Sequence, residues 1–165
     1  MSDTQPKEFD LTSPSIERRT LLAAGGLGVA ALFASAKPAH AADLTAEEQA
    51  ALKLVNDFCA SWESLDADKI GTFLAEKATF RMIETAPRRE GREAIVTGIK
   101  AFISTAKSAR FEVIRSQVIG NIVINERIDH FDMGTKQNAF HVIGFFWIKD
   151  GAIGEWQDYS AGEKK

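Results

Sequence analysis

Two periodicities share this chain. From residue 45 onward, apolar residues first recur every three or four positions: Ala51, Leu52, Val55, Phe58, Cys59, Trp62 and Leu65. That spacing lays one stripe along a helix. Thr45 with Glu48 three residues later supplies a capping box for its start. A second, shorter helix is predicted over Ala67 to Ala75, with Ile70, Phe73 and Leu74 facing inward. A third begins beyond Gly91 and carries Ile95, Ile99, Phe102 and Ile103, with Gly98 as an interior weak point. The other segments alternate with period two and read as strands: Ala78–Glu84, Arg110–Val118, Asn121–Phe131, Gln137–Ile148 and Ala152–Ser160. Asp132-Met133-Gly134-Thr135 and Asp150-Gly151 are hairpin connectors between the last three. Three helices and a largely antiparallel meander make an α+β fold, with the helices on one side of a curved sheet.

The strand Gln137–Ile148 is apolar on both faces. One carries Phe140, Val142, Gly144, Phe146 and Ile148; the other carries His141, Ile143, Phe145 and Trp147. Helices can cover one of these faces, and a chain this short has nothing left for the other. The sequence therefore predicts a homodimer packed through the outer sheet face.

The first 41 residues form a separate segment. A paired Arg18-Arg19 precedes the apolar run Leu21–Ala36, and Ala39-His40-Ala41 is a small-residue cleavage signal, placing the cut before Ala42. The run is shorter than the ~20 residues a membrane-spanning helix needs. It resembles a twin-arginine export signal, with Glu17 and Leu21 departing from the usual pattern. An ordinary secretory signal and an uncleaved anchor are the other readings. Export to a bacterial periplasm or the exterior is expected, with no stable membrane insertion after cleavage. Residues 42–165 form the single expected domain. The net charge of -3 opposes a nucleic-acid partner, and one cysteine excludes an internal disulfide and a cysteine-cluster metal site.

Little chemistry is left after these exclusions. The domain has two histidines, His130 and His141, without metal-ligand spacing, and no phosphate-binding glycine loop or serine elbow. No metal or cofactor is expected. Cys59 lies on the helical stripe and reads as buried and inert. The remaining candidates are charges within strands. Arg127 and Asp129 share a face with Val123, Asn125 and Phe131, opposite Ile122, Ile124 and Ile128. Periodicity alone makes the isoleucines the core and Arg127–Asp129 a solvated ion pair. The two-sided neighbouring strand opens the opposite reading. If Asp158 joins Arg127 and Asp129 in one pocket, two carboxylates share one guanidinium and should hold a proton between them.

Asn125-Glu126-Arg127-Ile128-Asp129, Phe140-His141-Val142-Ile143-Gly144-Phe145-Phe146 and Trp156-Gln157-Asp158-Tyr159 together resemble the limonene-1,2-epoxide hydrolase family, within the nuclear transport factor 2-like superfamily. The Gly91-Arg92-Glu93-Ala94-Ile95 start of the third helix is similar too. The likeness runs over about residues 45 to 160. It implies a cone-shaped, usually dimeric fold with a deep apolar pocket and no cofactor. It further implies Asp158 as the base that deprotonates water, Asp129 as the acid that protonates the epoxide oxygen, and Arg127 as the bridge. The family also holds its water with a Tyr and an Asn on the first strand, where this chain has Phe80 and Met82. Asn125 is a candidate replacement or a neighbour-satisfying group, and Glu84 a candidate at the pocket mouth.

The resemblance implies a cofactor-independent epoxide hydrolase acting on a small apolar epoxide. Its pocket would be lined by Trp62, Phe80, Met82, Asn125, Phe131, Phe140, Val142 and Phe146. An apolar-ligand binding protein without turnover is the second reading. A steroid-isomerase-like proton transfer ranks last, because Tyr159, the single tyrosine, alternates away from Asp158.

Overall fold

In the computed structural model, residues 44–162 are described; the twin-arginine-like segment and the Ala41–Ala42 cut lie outside them. Helix α1 (Ala46–Ser61) opens on the Thr45–Glu48 capping box, with both reciprocal hydrogen bonds formed. A 3-10 turn, Trp62–Ser64, extends it. Helix α2 (Ala67–Gly71) is capped by Asp66, whose side chain accepts from the Asp68 and Lys69 amides. It stops short of the expected Ala75, because the chain straightens there to pair Leu74 with Ile153. Strand β1 is Leu74–Arg81, β2 is the two-residue Arg89–Glu90, and α3 is Arg92–Ile103. Strands β3 (Ser108–Ile119), β4 (Ile122–Asp132), β5 (Gln137–Lys149) and β6 (Ala152–Ser160) complete the chain. Two residues carry no periodicity, so β2 had no pattern from which to be read.

The six strands form one curved sheet in the order β2-β1-β6-β5-β4-β3. Strand β1 runs parallel to β6, and the other pairings are antiparallel. In the β5–β6 hairpin Asp150 and Gly151 both take positive φ (51° and 74°), the conformation a two-residue hairpin turn demands. The cone-shaped α+β architecture follows, with α1 against β3 and β4, and α3 against α2 and β1. Val55, Phe58, Ile70, Ile95, Val123, Phe146 and Ile153 are fully buried between helices and sheet.

The face of β4 is the main correction to simple periodicity. Val123, Asn125, Arg127, Asp129 and Phe131 are buried, and the isoleucine face is the half-exposed outer one. The solvated ion-pair reading of Arg127 and Asp129 therefore fails. The helices cover the side that carries the charges, and only neighbouring strands decide which side that is.

Candidate active site

Register builds the inner face row by row. Asp158 on β6 stands opposite Gly144 on β5, which stands opposite Asn125 on β4. One step along, Arg127 pairs with Val142, and Asp129 with Phe140. Arg127 and Asp158 thus lie on strands separated by a third, and the guanidinium must cross β5 to reach the carboxylate. It does so over Gly144. A Cβ there would lie 2.1 Å from Arg127 Nη1 and 2.9 Å from Asn125 Oδ1. The glycine is required for space, not for backbone conformation.

The guanidinium is completely buried, and each of its nitrogens is used. Nε donates to Asp129 Oδ1 at 2.7 Å and Nη2 to Asp129 Oδ2 at 3.1 Å. Nη2 also donates to Asp158 Oδ2 at 2.8 Å, and Nη1 to Asn125 Oδ1 at 3.0 Å. Trp156 Nε1 donates to the other Asp158 oxygen at 2.7 Å. Asn125 passes the network on to Cys59 Sγ at 3.4 Å. The Phe111 ring packs against the guanidinium, 4.8 Å from its centroid to Cζ, a favourable cation–π placement.

Electrostatics follow from one buried cation facing two buried carboxylates. Burial pushes the Asp158 carboxyl up to about 6, against the opposing pull of Arg127 and with help from the Asp129 charge. Burial raises Asp129 as well, again opposed by Arg127. Burial alone would lower Arg127, but Asp158 and Asp129 outweigh it and hold the guanidinium above its usual value. Both carboxyls are thus held above the usual carboxylate range while anchored by one guanidinium, a setting suited to acid–base chemistry. Cys59 is buried and its thiol is pushed up to about 12 by burial, so it is not a thiolate nucleophile.

Above this floor opens a broad cavity of about 1410 Å³. Asp129 and Asp158 reach its surface, and Trp62, Phe80, Phe111, Phe131 and Trp156 supply apolar wall. Phe80 stacks on Trp156 at 3.8 Å between centroids, and Trp62 on Phe111 at 4.4 Å. Met82, Phe140 and Val142 also line it, but Met82 and Phe140 are about half exposed (47% and 51%) and stand at its rim. Two expected pocket residues do not reach it. Phe146 is core, packed between Phe58 and Trp156. Asn125 sits behind the guanidinium, its amide spent on Arg127 and Cys59, so it holds no water in the cavity. Glu84 falls in the exposed turn after β1, which ends at Arg81 rather than Glu84, and lies off the cavity wall.

Neither Phe80 nor Met82 offers a hydrogen bond to a reacting water. Trp156, Gly144 and Phe111 have parts in the site that the sequence did not assign to them. The Trp156-x-Asp158 spacing was a signal for the first, and the free space over Gly144 and the reach of Phe111 from β3 had none. A shallower depression of about 510 Å³ near Glu63, Arg110 and His130 lacks a converged acid–base set. His130 pairs with Glu112 and His141 with Glu126 on the outer face, and no metal-holding cluster occurs among the described residues. Tyr159 packs edge-on to Phe145 on that same face, away from Asp158.

Similarity to known proteins agrees with this architecture. An M. tuberculosis limonene-epoxide-hydrolase-like (LEH-like) epoxide hydrolase superposes with a TM-score of 0.63 at 24% identity, covering 69% of this chain and 84% of that one. A putative polyketide cyclase from Xanthomonas campestris superposes at 0.57 with 22% identity, covering 68% and 91%. A Catenulispora acidiphila protein with a ketosteroid isomerase-like fold superposes at 0.59 with 17% identity, covering 65% and 84%. At such identities these likenesses concern the fold. No curated protein matches the sequence. The SnoaL-like domain model matches residues 55–156. That stretch takes in strands β1 to β5, the first half of β6, and Arg127 and Asp129, and it ends two residues before Asp158. It spans more than half of the chain, which belongs to the SnoaL-like domain family, on the nuclear transport factor 2-like fold.

Proposed function

We propose that the cavity is the active site of a cofactor-independent epoxide hydrolase acting on a small apolar epoxide. The observation that carries this reading is the Asp129–Arg127–Asp158 set, hydrogen-bonded through one buried guanidinium at the base of an aromatic cavity. Asp158 takes a proton from water as its oxygen attacks an epoxide carbon. The carbon–oxygen bond breaks, and Asp129 gives its proton to the leaving oxygen. One water and one epoxide become one diol, and the proton gained by Asp158 replaces the one lost by Asp129. Arg127 holds both carboxylates in place and keeps its own proton throughout.

The test is hydrolysis of limonene oxide or cyclohexene oxide by the protein and by Asp158→Asn. A loss of at least about a hundredfold is expected from removing the base; equal rates would remove the proposal. The second reading, an apolar-ligand binding protein on the same fold, draws on one specific observation. Phe80 and Met82 leave the cavity without the water-holding side chains of the hydrolase pattern. Ligand-dependent thermal stabilisation without turnover would select it.

We further propose export and a dimer. Export predicts a periplasmic or extracellular protein whose mature N-terminus is Ala42, checked by the intact mass of secreted protein.

A further inference from the structure

Arg89 faces the cavity and is poorly explained by the fold alone. Its strand, β2, pairs with β1 so that Arg89 stands directly opposite Phe80, whose own register partner on β6 is Trp156. Arg89, Phe80 and Trp156 therefore form one row across the inner face, and all three line the cavity. The neighbouring Arg88 is paired with Glu155 and Thr79. Arg89, by contrast, makes no side-chain hydrogen bond or ion pair among the described residues.

A second observation fixes where its charge sits. Gly98 interrupts α3, where glycine is a poorer helix former than alanine. A Cβ at that position would lie 1.2 Å from Arg89 Nη1 and 2.5 Å from its Cζ. The helix thus carries a notch, and the guanidinium lies in it, on the cavity wall. Lys136, from the β4–β5 turn, is a second cation on the same cavity. The carboxylates on that wall, Asp129 and Asp158, are both committed to Arg127 at the floor. Two sheet spacings, roughly 10 Å, separate the strand of Arg89 from that of Asp158.

We infer that the ligand of this cavity is an amphiphile with a terminal carboxylate, its apolar body along the Phe80–Trp156 wall and its anionic end on Arg89. For the hydrolase this rests on the reading above and extends it: the apolar epoxide portion is the body of a medium-chain acid, and the neutral epoxides of the first test are its truncated forms. The binding claim needs only the cavity. A planar guanidinium with its donors free is suited to a two-oxygen anion, and a partly exposed site is where such a charge discriminates without a large desolvation cost.

The test measures affinity of the intact protein for octanoic acid, 1-octanol and octylamine by titration calorimetry at low salt, in wild type, Arg89→Gln, Arg89→Lys and Gly98→Ala. Octanoate should bind at least about fivefold tighter than octanol, with octylamine weakest, and the preference should shrink as salt rises. Arg89→Gln should erase the preference and Arg89→Lys should keep part of it. Gly98→Ala should reduce it without lowering thermal stability, because it fills the notch while improving the helix. Octanoate binding no better than octanol, or a preference that survives Arg89→Gln, overturns the inference. Epoxide turnover is scored separately. An Arg89-dependent acid preference without hydrolysis of any epoxide supports this inference and removes the hydrolase. Hydrolysis without acid preference does the reverse.

Discussion

Asp158 shows how one carboxylate is placed at odds with its surroundings. It is 5% exposed, accepts from Trp156 and Arg127, and still has its carboxyl pushed up to about 6 by burial. Two consequences follow with opposite signs for activity and stability. As the proposed base it must be ionised, so kcat/KM for the proposed epoxide hydrolysis should fall below a pH of about 6. For folding, a carboxyl raised above its unfolded value binds its proton more tightly when folded. The stability it contributes is fully present below the unfolded value near 3.8 and is lost as pH rises through about 6. Asp158→Asn lacks this titration, and its NH2 also replaces an oxygen that accepts from Trp156 or Arg127, a cost that does not vary with pH. Its stability relative to wild type should therefore rise by up to about 3 kcal/mol between pH 4 and pH 7. Thermal melts of both proteins across that range check it. A stability difference that stays constant over that range would mean that burial does not strain the ionised carboxylate.

At the scale of elements, the site depends on strand register more than on any single strand. Arg127 and Asp129 belong to β4 and Asp158 to β6, and the strand between them must be bare where the guanidinium crosses. Gly144 provides that gap. Arg127 cannot move aside for a methyl group, because it is held by Asn125, Asp129 and Asp158 at once. Gly144→Ala should therefore break a buried charge network, destabilise the protein by about 3–5 kcal/mol and abolish turnover. Urea unfolding measures the first and the epoxide assay the second. A β5 that tolerates alanine would show that the guanidinium has another seat.

For the whole molecule, the outer sheet face remains to be accounted for. Register aligns Ile122 with Trp147 and Ile124 with Phe145, while Ile143 lies beside Tyr159. Phe145 packs against Trp147 and Tyr159. Glu126 within this face is paired with His141 and Arg115, so its charge is matched without a partner. Such a contiguous apolar surface is suited to a second copy packed sheet to sheet about a two-fold axis. Sedimentation should give a dimer at micromolar concentration, and Phe145→Arg should give a folded monomer. A wild-type monomer at that concentration would sink the proposal.

The sequence by itself determined the elements and their order, apart from the two-residue β2. Helical and strand periodicities, the Thr45 capping box, the Asp150-Gly151 turn and the Arg127, Asp129 and Asp158 candidates are local features, readable because they depend on neighbours within a few residues. Which face of β4 is the core was not local. Alternating isoleucines pointed one way and the helices covered the other, burying Arg127 and Asp129 instead. The assignment of Asn125 to the guanidinium rather than the cavity was settled by tertiary contact, as were the gap over Gly144 and the seat of Arg89 on Gly98. Each brings together residues on separate strands or on a strand and a helix. Their meeting is fixed by register and packing, which composition and spacing along one strand do not encode.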